Sequence, residues 1–183
     1  MARCLVTGHK GYIGSRLYAE LERQGHEVMG VDMKGAPGDN ILFGSCGLRD
    51  VRRTRSQFVE FAPEYIFHLA CIPRVAYSVE HPVLTMENNV LAGSIILDFA
   101  RRVGAKRVIY SSSSSVVGNG DGPASPYGLQ KLVTEMECKL YADLYGVDTV
   151  GLRYFNVYSE DQEVDGPYAT AVANWMNHIR EGN

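Results

Sequence analysis

The first fourteen residues carry the feature that most constrains the fold, an apolar run followed by three glycines at three-residue spacing. Residues 4–7 precede Gly8, Gly11 and Gly14. An amphipathic stretch begins at residue 12, between the second and the third glycine. A strand, a glycine turn and a helix in this order form the phosphate-binding turn of a dinucleotide site. The first glycine permits the tight turn, the second lets the backbone approach a pyrophosphate, and the third lets the helix pack on its strand. The helix start adds about half a positive charge.

An acidic residue ends the second apolar run and indicates which dinucleotide binds. Asp32 follows residues 28–31 and lies eighteen positions after Gly14. A carboxylate in this place accepts hydrogen bonds from the adenosine ribose hydroxyls, and its charge repels a 2′-phosphate. We therefore predict NAD as the cofactor in preference to NADP, although Lys34 nearby weakens this selectivity.

Length, charge and cysteine spacing exclude several other classes of function. A chain of 183 residues can bury one sizeable core, and its net charge of -3 gives no broad positive field for nucleic acid. The four cysteines have no metal-ligand spacing, so we expect reduced thiols and no metal site. We see no signal peptide and no long apolar span, and we expect a cytoplasmic protein without membrane contact.

Apolar strands and helical patterns alternate as in an α/β, Rossmann-type doubly wound parallel sheet with helices on both faces. Strands are predicted at 2–7, 27–32, 40–43, 65–69, 107–111 and 148–153. Helices are predicted at 12–24, 48–61, 82–103, 126–145 and 168–180. We expect an NAD-binding domain over residues 1–160 and a short helical segment over residues 161–183.

A tyrosine and a lysine four residues apart form the second chemical motif. Ser125 is predicted as an N-cap and Pro126 as the first helical residue, so Tyr127 and Lys131 lie one turn apart on the same face. A phenol with a pKa of about 10 is a poor base near neutrality. A neighbouring ammonium, the helix start and an oxidised nicotinamide all favour the phenolate. Tyr127 would then take a proton from a substrate alcohol while hydride leaves its carbon. Lys131 would hold the nicotinamide ribose and lower the phenol pKa.

Five consecutive serines, residues 111–115, follow the predicted strand at 107–111. A serine hydroxyl from this loop would bind the reacting oxygen and relay the proton. For Ser111 and Ser112 we favour a structural interpretation, a strand-end turn in which the hydroxyls cap backbone groups.

Several motifs in fixed order extend over nearly the whole chain: residues 8–14, Asp32, Asp50, and residues 68–70, 87–93, 110–118, 125–131 and 152–158. In this order and spacing the chain resembles the extended short-chain dehydrogenase/reductase family, in its branch of NAD-dependent nucleotide-sugar epimerases and dehydratases. His68, by contrast, is typical of a structural histidine at a strand end.

The resemblance implies two sets of site residues. The implied cofactor contacts are Gly8, Lys10, Gly11, Tyr12, Ile13, Gly14, Asp32, Met33, Asp50, Leu69, Ala70, Cys71, Asn89, Ser111, Ser112, Tyr127, Lys131 and Tyr154. The implied substrate contacts are Ser113, Ser114, Phe155 and Asn156.

Aligning residues 116–118 with the Val-Tyr-Gly of the family gives Ser113 the position of the catalytic serine or threonine. In the dehydratases of the family that this chain resembles, the next two positions hold an Asp-Glu pair. In this chain, Ser114 and Ser115 occupy those two positions. A hydroxyl near its unperturbed pKa cannot replace a carboxylate as acid and base, so dehydration is disfavoured. Decarboxylases resemble the dehydratases in keeping the glutamate, and that reaction is disfavoured as well. Epimerisation, or simple oxidation or reduction, remains.

Family members continue into a C-terminal domain that covers the substrate, and this sequence lacks most of it. The alternatives are a minimal enzyme with an open site, a chain completed by a partner, a truncated chain, or a remnant that only binds cofactor. Two functions follow. One is an NAD-dependent epimerase or dehydrogenase that uses Ser113, Tyr127 and Lys131 on a nucleotide sugar, UDP-sugars included. The other is a non-catalytic NAD-binding or regulatory module.

The resemblance also implies a homodimer, formed through the helices at 82–103 and 126–145. Apolar residues on these helices could serve the core or such an interface equally well. They are Leu84, Val90, Leu91, Ile95, Leu132, Met136 and Leu140.

Overall fold

A single five-stranded sheet organises the part of the chain that the computed structural model describes, residues 1–32, 58–159 and 171–181. Its strands are β1 (Arg3–Thr7), β2 (Glu27–Val31), β3 (Tyr65–His68), β4 (Arg107–Ser113) and β5 (Thr149–Tyr154). Their spatial order is β2-β1-β3-β4-β5, and β1 pairs in parallel with both β2 and β3, as β3 does with β4. The predicted strand at 40–43 lies outside the described residues.

Helices connect these strands on both sides of the sheet. They are α1 (Tyr12–Arg23), α2 (Val75–Glu80), α3 (Pro82–Met86), α4 (Ala92–Val103), α5 (Pro126–Tyr145) and α6 (Ala171–Arg180). Residues 58–61 are helical too, and the rest of the helix predicted at 48–61 lies outside the described range. Helices α4 and α5 end at Gly104 and Gly146, whose φ angles of 66° and 67° are left-handed and favour glycine.

The long helix predicted at 82–103 is interrupted by a π-helical turn, Glu87–Leu91, between α3 and α4. A π turn shifts the helical register by about one residue, and here the consecutive Asn88 and Asn89 are both buried. Helix α2 was not predicted, because six residues are too few for a helical period to stand out.

Apolar side chains cover both faces of the sheet. Leu5, Ile66 and Val108 stand level on β1, β3 and β4, each at most 1% exposed, and pack with residues of α4. On the opposite face, Cys4 and Val6 pack with Leu21 of α1. Alternate residues of parallel strands therefore enter two separate cores, as in a sheet sandwiched between helical layers. The predicted doubly wound, Rossmann-type fold is confirmed.

The strand register brings the carboxyl ends of the central strands to one edge. Thr7 is level with Val31 and with His68, and His68 is level with Tyr110. The chain passes from β1 outward to β2 and then returns to β3 on the other side of β1. Ligands of such sheets bind in the crevice at this reversal point, outside the carboxyl ends of the strands.

By its internal contacts the chain divides into two compact units, Met1–Arg153 and Tyr154–Asn183. The described part of the second unit contains α6, which begins at Ala171, and residues 168–170 of the helix predicted at 168–180 are outside the described range.

Candidate active site

Gly8 in the turn between β1 and α1, and Gly14 in the first turns of α1, have no room for a Cβ atom. Gly8 has a φ of +74°, and a Cβ atom there would lie 2.9 Å from the backbone nitrogen of Ala70. A Cβ atom on Gly14 would lie 2.0 Å from the carbonyl oxygen of Gly8, well inside contact distance. Gly11 is the extended N-cap of α1, and among the described residues no side chain caps that helix start. The amino terminus of α1 therefore presents backbone N–H groups at the carboxyl edge of the sheet.

Asp32 connects the end of β2 to this turn. Its carboxylate accepts a hydrogen bond of 2.9 Å from the backbone N–H of Lys10, and the side chain is buried. The Gly8 N–H donates to the carbonyl of Val31 at 2.7 Å, which ties the two strand ends together. The acid predicted to bind ribose thus also fixes the glycine turn.

His68 and Thr7 connect β3 to β1 beneath the same edge. The Thr7 hydroxyl accepts from the Ala70 N–H at 3.2 Å and lies 2.8 Å from Nδ1 of His68. Burial, and secondarily the charge of Lys131, lowers the pKa of His68 to about 3. The geometry agrees with a structural role for His68.

We expect acid to destabilise the protein through His68. The imidazole binds a proton near pH 6.5 when the chain is unfolded but only near pH 3 when it is folded, so stability is lost as pH falls through this window. One proton contributes about 1.4 kcal/mol per pH unit to the free energy of unfolding. Urea unfolding of the wild type between pH 6.5 and 4 should show this extra slope, and His68→Asn should lack it. Equal slopes in the two proteins would contradict the assignment.

Tyr127 and Ser113 lie together where α5 begins beside the end of β4. Ser125 caps α5 by accepting from the Gly128 N–H at 3.1 Å, and the Tyr127 N–H donates to Oγ of Ser78 at 3.0 Å. The Ser113 hydroxyl lies close enough to the Tyr127 phenol to act on its pKa, and it donates to Oγ of Ser115 at 3.1 Å. A chain of three hydroxyl groups therefore begins at the buried phenol.

Lys131 occupies the next turn of α5 on the same face. Its ammonium donates to the carbonyl oxygen of Ser111 at 2.8 Å and lies 5.8 Å from the centroid of the Tyr127 ring. Both side chains are buried, Tyr127 at 8% and Lys131 at 6% exposure. The structure thus brings together the three residues predicted to be catalytic, Ser113, Tyr127 and Lys131.

The electrostatics of Tyr127 differ from the sequence prediction. Burial raises the pKa of the phenol above its ordinary value, the nearby Cys71 thiol raises it further, and only the Ser113 hydrogen bond lowers it. The prediction that Lys131 and the helix start hold this pKa low is therefore wrong for the protein without cofactor. Desolvation of the anion outweighs an ammonium that is already hydrogen-bonded to a carbonyl. The phenol is protonated at neutral pH.

A second prediction, that Ser111 and Ser112 form a strand-end turn, is wrong. Ser111 and Ser112 belong to β4, which continues to Ser113, and do not form a strand-end turn. The Ser112 hydroxyl donates to the Glu135 carboxylate of α5, and not to a backbone group. Arg153 of β5 binds the same carboxylate through two hydrogen bonds of 2.8 and 2.7 Å, and this lowers the pKa of Glu135. The buried, extended backbone holds these serines in the strand.

The Asn89 side chain, predicted to contact the cofactor, is directed at the loop after β3. Its Oδ1 accepts from the Ile72 N–H at 2.7 Å, and its Nδ2 donates to the Ile72 carbonyl at 3.2 Å and to Oε1 of Gln130 at 2.8 Å. Both amide hydrogens therefore bind protein atoms. Sequence reasoning missed Gln130, and its only signal was an uncharged polar residue between Tyr127 and Lys131.

The remaining predicted site residues fall into three groups. Leu69, Ala70 and Cys71 directly follow β3, Tyr12 and Ile13 begin α1, and Ser114 begins a 3-10 turn, Ser114–Val116. Met33 and Asp50 lie outside the described residues. Tyr154, Phe155 and Asn156 belong to the second unit, and their roles stay predictions.

Two further kinds of site are absent from residues 1–32, 58–159 and 171–181. In these ranges no three His, Cys, Asp or Glu side chains come together in a way that could hold a metal ion. No helix there combines the length and the apolar character of a membrane span.

The strand order, the glycine turn and the acid after β2 define a dinucleotide-binding α/β protein of the Rossmann type. A model of the NAD dependent epimerase/dehydratase family matches residues 4–183. The chain belongs to this family, as the resemblance of its motifs to the extended short-chain dehydrogenases/reductases predicted.

Individual relatives agree with this assignment. Protein CapI of Staphylococcus aureus is 33% identical over 181 residues, which cover 85% of this chain and 54% of CapI. UDP-glucose 4-epimerase of Thermotoga maritima, solved with UDP-glucose, superposes with a TM-score of 0.83 at 32% identity, over 99% of this chain and 64% of that one. UDP-glucose 4-epimerase of Thermus thermophilus, solved with NAD, gives a TM-score of 0.78 at 31% identity. This superposition covers 98% of this chain and 63% of the Thermus chain. The chain spans little more than half the length of CapI.

Proposed function

We propose that this chain is the cofactor-binding and acid/base part of an NAD-dependent nucleotide-sugar epimerase. The observation that carries the proposal is the grouping of three buried side chains, Ser113, Tyr127 and Lys131, where α5 begins beside the end of β4, at the same sheet edge as the glycine turn. A protein that only binds NAD does not require a buried phenol beside a serine at this edge. Related dehydrogenase or reductase chemistry would use the same three residues.

The residues at the sheet edge fit a dinucleotide. Gly8 and Gly14 pack so closely against backbone atoms that neither can carry a side chain, and the start of α1 presents N–H groups suited to a pyrophosphate. Asp32 would bind the adenosine ribose, and its charge favours NAD over NADP. The loop after β3, which includes Leu69, Ala70 and Cys71, would lie along the cofactor. The NAD-bound Thermus epimerase is consistent with this assignment.

The chemistry of the bound NAD is to accept a hydride from a sugar carbon and to return it. Tyr127 would remove the proton of the sugar hydroxyl as the hydride leaves and donate it again when the hydride returns. Ser113 would donate a hydrogen bond to the reacting oxygen and pass the proton. Burial raises the pKa of the phenol, and the positive charge of an oxidised nicotinamide would lower it during the reaction.

The residues beside Ser113 favour epimerisation over elimination. Ser114 and Ser115 occupy the two positions after the catalytic hydroxyl, and neither supplies a carboxylate acid or base. Return of the hydride to the opposite face of the sugar would invert one carbon and leave NAD unchanged. UDP-sugars are the substrate class we propose, in line with the UDP-glucose bound to the Thermotoga epimerase.

The function is tested in two stages on the wild-type chain. Titration calorimetry should detect binding of NAD and weaker binding of NADP. Incubation with NAD and a panel of UDP-hexoses and UDP-uronic acids should then convert one of them to its epimer, as followed by chromatography. Binding of NAD without conversion of any sugar would contradict the catalytic proposal and support the alternative of a non-catalytic NAD-binding module.

We further propose that two copies pair through α5 and the segment formed by α3 and the π turn. Helix α5 exposes an apolar stripe at spacings of four and seven residues, made up of Leu129, Met136, Leu140 and Leu144. Val83 of α3 and Leu91 of the π turn are 72% and 49% exposed. A stripe of this length on a helix face suits a second copy of the same face, because twofold pairing would cover the stripe of both copies at once.

Met136→Glu should convert this dimer to a monomer. A charge at a residue that is 64% exposed in the single chain costs little in the monomer but would be desolvated in the interface. Light scattering after gel filtration should report half the wild-type mass. Val59→Glu is the matched control, since Val59 is 53% exposed on a different helix and should leave the mass unchanged. A monomeric wild type would refute the pairing.

A further inference from the structure

A buried row of polar side chains connects the loop after β3 to the helix that carries Tyr127. Gln130 lies at its centre with no exposed surface. Its Oε1 accepts from Nδ2 of Asn89 at 2.8 Å, and its Nε2 donates to Oγ1 of Thr85 at 2.9 Å. Asn89 in turn holds both the N–H and the carbonyl of Ile72. One side chain of α5 is thus joined to α3, to the π turn and to the loop.

The direction of every hydrogen bond in this row is fixed. The Thr85 hydroxyl lies 3.0 Å from the carbonyl oxygen of His81 and donates within its own helix, so its oxygen is left to accept from Gln130. The Gln130 amide nitrogen must then face Thr85, and the amide oxygen must face Asn89. Rotating the Asn89 or the Gln130 amide by half a turn would leave buried donors and acceptors without hydrogen-bond partners. The energetic cost is large enough to keep both amides in one orientation.

The π turn explains why Asn89 can take part. Asn89 is 4% exposed and follows Asn88, which is 9% exposed and donates to the Leu84 carbonyl at 2.7 Å. In a regular α-helix, neighbouring residues are about 100° apart around the axis, and two consecutive asparagines would not both be buried so readily. The widened turn lets Asn88 satisfy its own helix while Asn89 reaches the loop.

We infer that Gln130 is a positioning residue that transmits cofactor binding at the loop after β3 to Tyr127 on α5. This inference rests on the proposed NAD function of that loop. Gln130 lies between Tyr127 and Lys131 on α5. Among these three residues of the described chain, Gln130 is the one whose side chain is hydrogen-bonded to Asn89. When NAD orders residues 69–72, the row of fixed amides restrains the first turn of α5, and with it the phenol.

Hydrogen exchange with and without saturating NAD tests the transmission. In the wild type, NAD should slow amide exchange both in peptides covering residues 69–73 and in peptides covering residues 126–131. In Gln130→Met, which keeps the side-chain length but loses both amide bonds, NAD should still slow exchange at 69–73. Its effect at 126–131 should fall by at least about fivefold, the lower end of ordinary coupling between sites.

Two other variants make the test specific. Thr134→Val removes a buried hydroxyl from the same helix, where it donates to the Gln130 carbonyl at 3.0 Å, and it should leave the transmission intact. Thr85→Val removes the acceptor that orients Gln130 and should weaken the transmission in part. If circular dichroism shows that Gln130→Met does not fold, Thr85→Val replaces it in the test. An exchange response of Thr85→Val equal to that of the wild type would then overturn the inference.

The possible results separate the two proposals. If NAD fails to slow exchange at residues 69–73 of the wild type, the proposed NAD function fails and the Gln130 inference falls with it. Another result is that NAD slows exchange at both segments of the wild type, residues 69–73 and 126–131, and slows it equally in Gln130→Met and Thr134→Val. In that case only the Gln130 inference is overturned. Absence of a wild-type response at residues 126–131, with a response at residues 69–73, also overturns it.

Discussion

Tyr127→Phe should lower sugar epimerisation by about 100- to 10,000-fold, the usual contribution of a positioned acid/base group. The change removes one oxygen, the atom that lies near the Ser113 hydroxyl and that would take the substrate proton. The ring remains in its buried place, so NAD binding should change little. Initial rates with the converted UDP-sugar, together with calorimetry of NAD, measure the two effects separately.

Tyr110→Phe is the matched control for this loss. Tyr110 is also buried, at 7% exposure, and burial raises its pKa as it does for Tyr127. Its hydroxyl is bonded to Cys138 in the core, away from the hydroxyl chain of Ser113. Removing that hydroxyl should cost some stability but leave the rate near the wild-type value. Equal rate losses in the two variants would show that Tyr127 acts only through packing.

Gly14→Ala should strongly weaken NAD binding and destabilise the fold. The new methyl group would lie 2.0 Å from the Gly8 carbonyl oxygen and 2.9 Å from Cα of His9, and both are backbone atoms. Relief requires moving the turn itself, at a cost of about 3 kcal/mol or more for so close an overlap. We expect NAD affinity to fall by more than about 100-fold, equivalent to about 2.8 kcal/mol. Calorimetry of NAD and urea unfolding measure the two losses.

Gly93→Ala provides the comparison at another buried helical glycine. A Cβ atom there would lie 3.7 Å from Cγ2 of Thr134 and 3.9 Å from Nε2 of His68, which are ordinary contacts. Alanine also favours a helix over glycine by about 1 kcal/mol. The variant should bind NAD normally and unfold at the same or a higher urea concentration. A Gly14→Ala protein with wild-type NAD affinity would refute the proposed role of the turn.

Local sequence was sufficient for the elements that build the site. The alternation of apolar runs and helical patterns predicted β1, α1, β2, β3, α5 and β5 to within two residues at each end. The spacing of Tyr127 and Lys131 predicted that both lie on one face of α5, and both are buried beside β4. These predictions succeed because strand and helix periods, N-caps and glycine turns depend on residues a few positions apart.

The sequence failed where a side chain depends on distant partners. Ser112, Glu135 and Arg153 come from three different elements, and their ion pair has no local pattern. The burial of Gln130 likewise depends on Asn89, which is 41 residues away along the chain. Alternation and spacing carry no information about which strand end meets which helix.

The sequence by itself determined the class of fold and the edge of the sheet at which the candidate site lies, because the glycine turn and the β/α order leave few topologies. Only the tertiary structure decided the raised pKa of Tyr127, the direction of Asn89 and the central place of Gln130. Each of these follows from desolvation and from long-range hydrogen bonds, which exist only after the strands and helices have packed together.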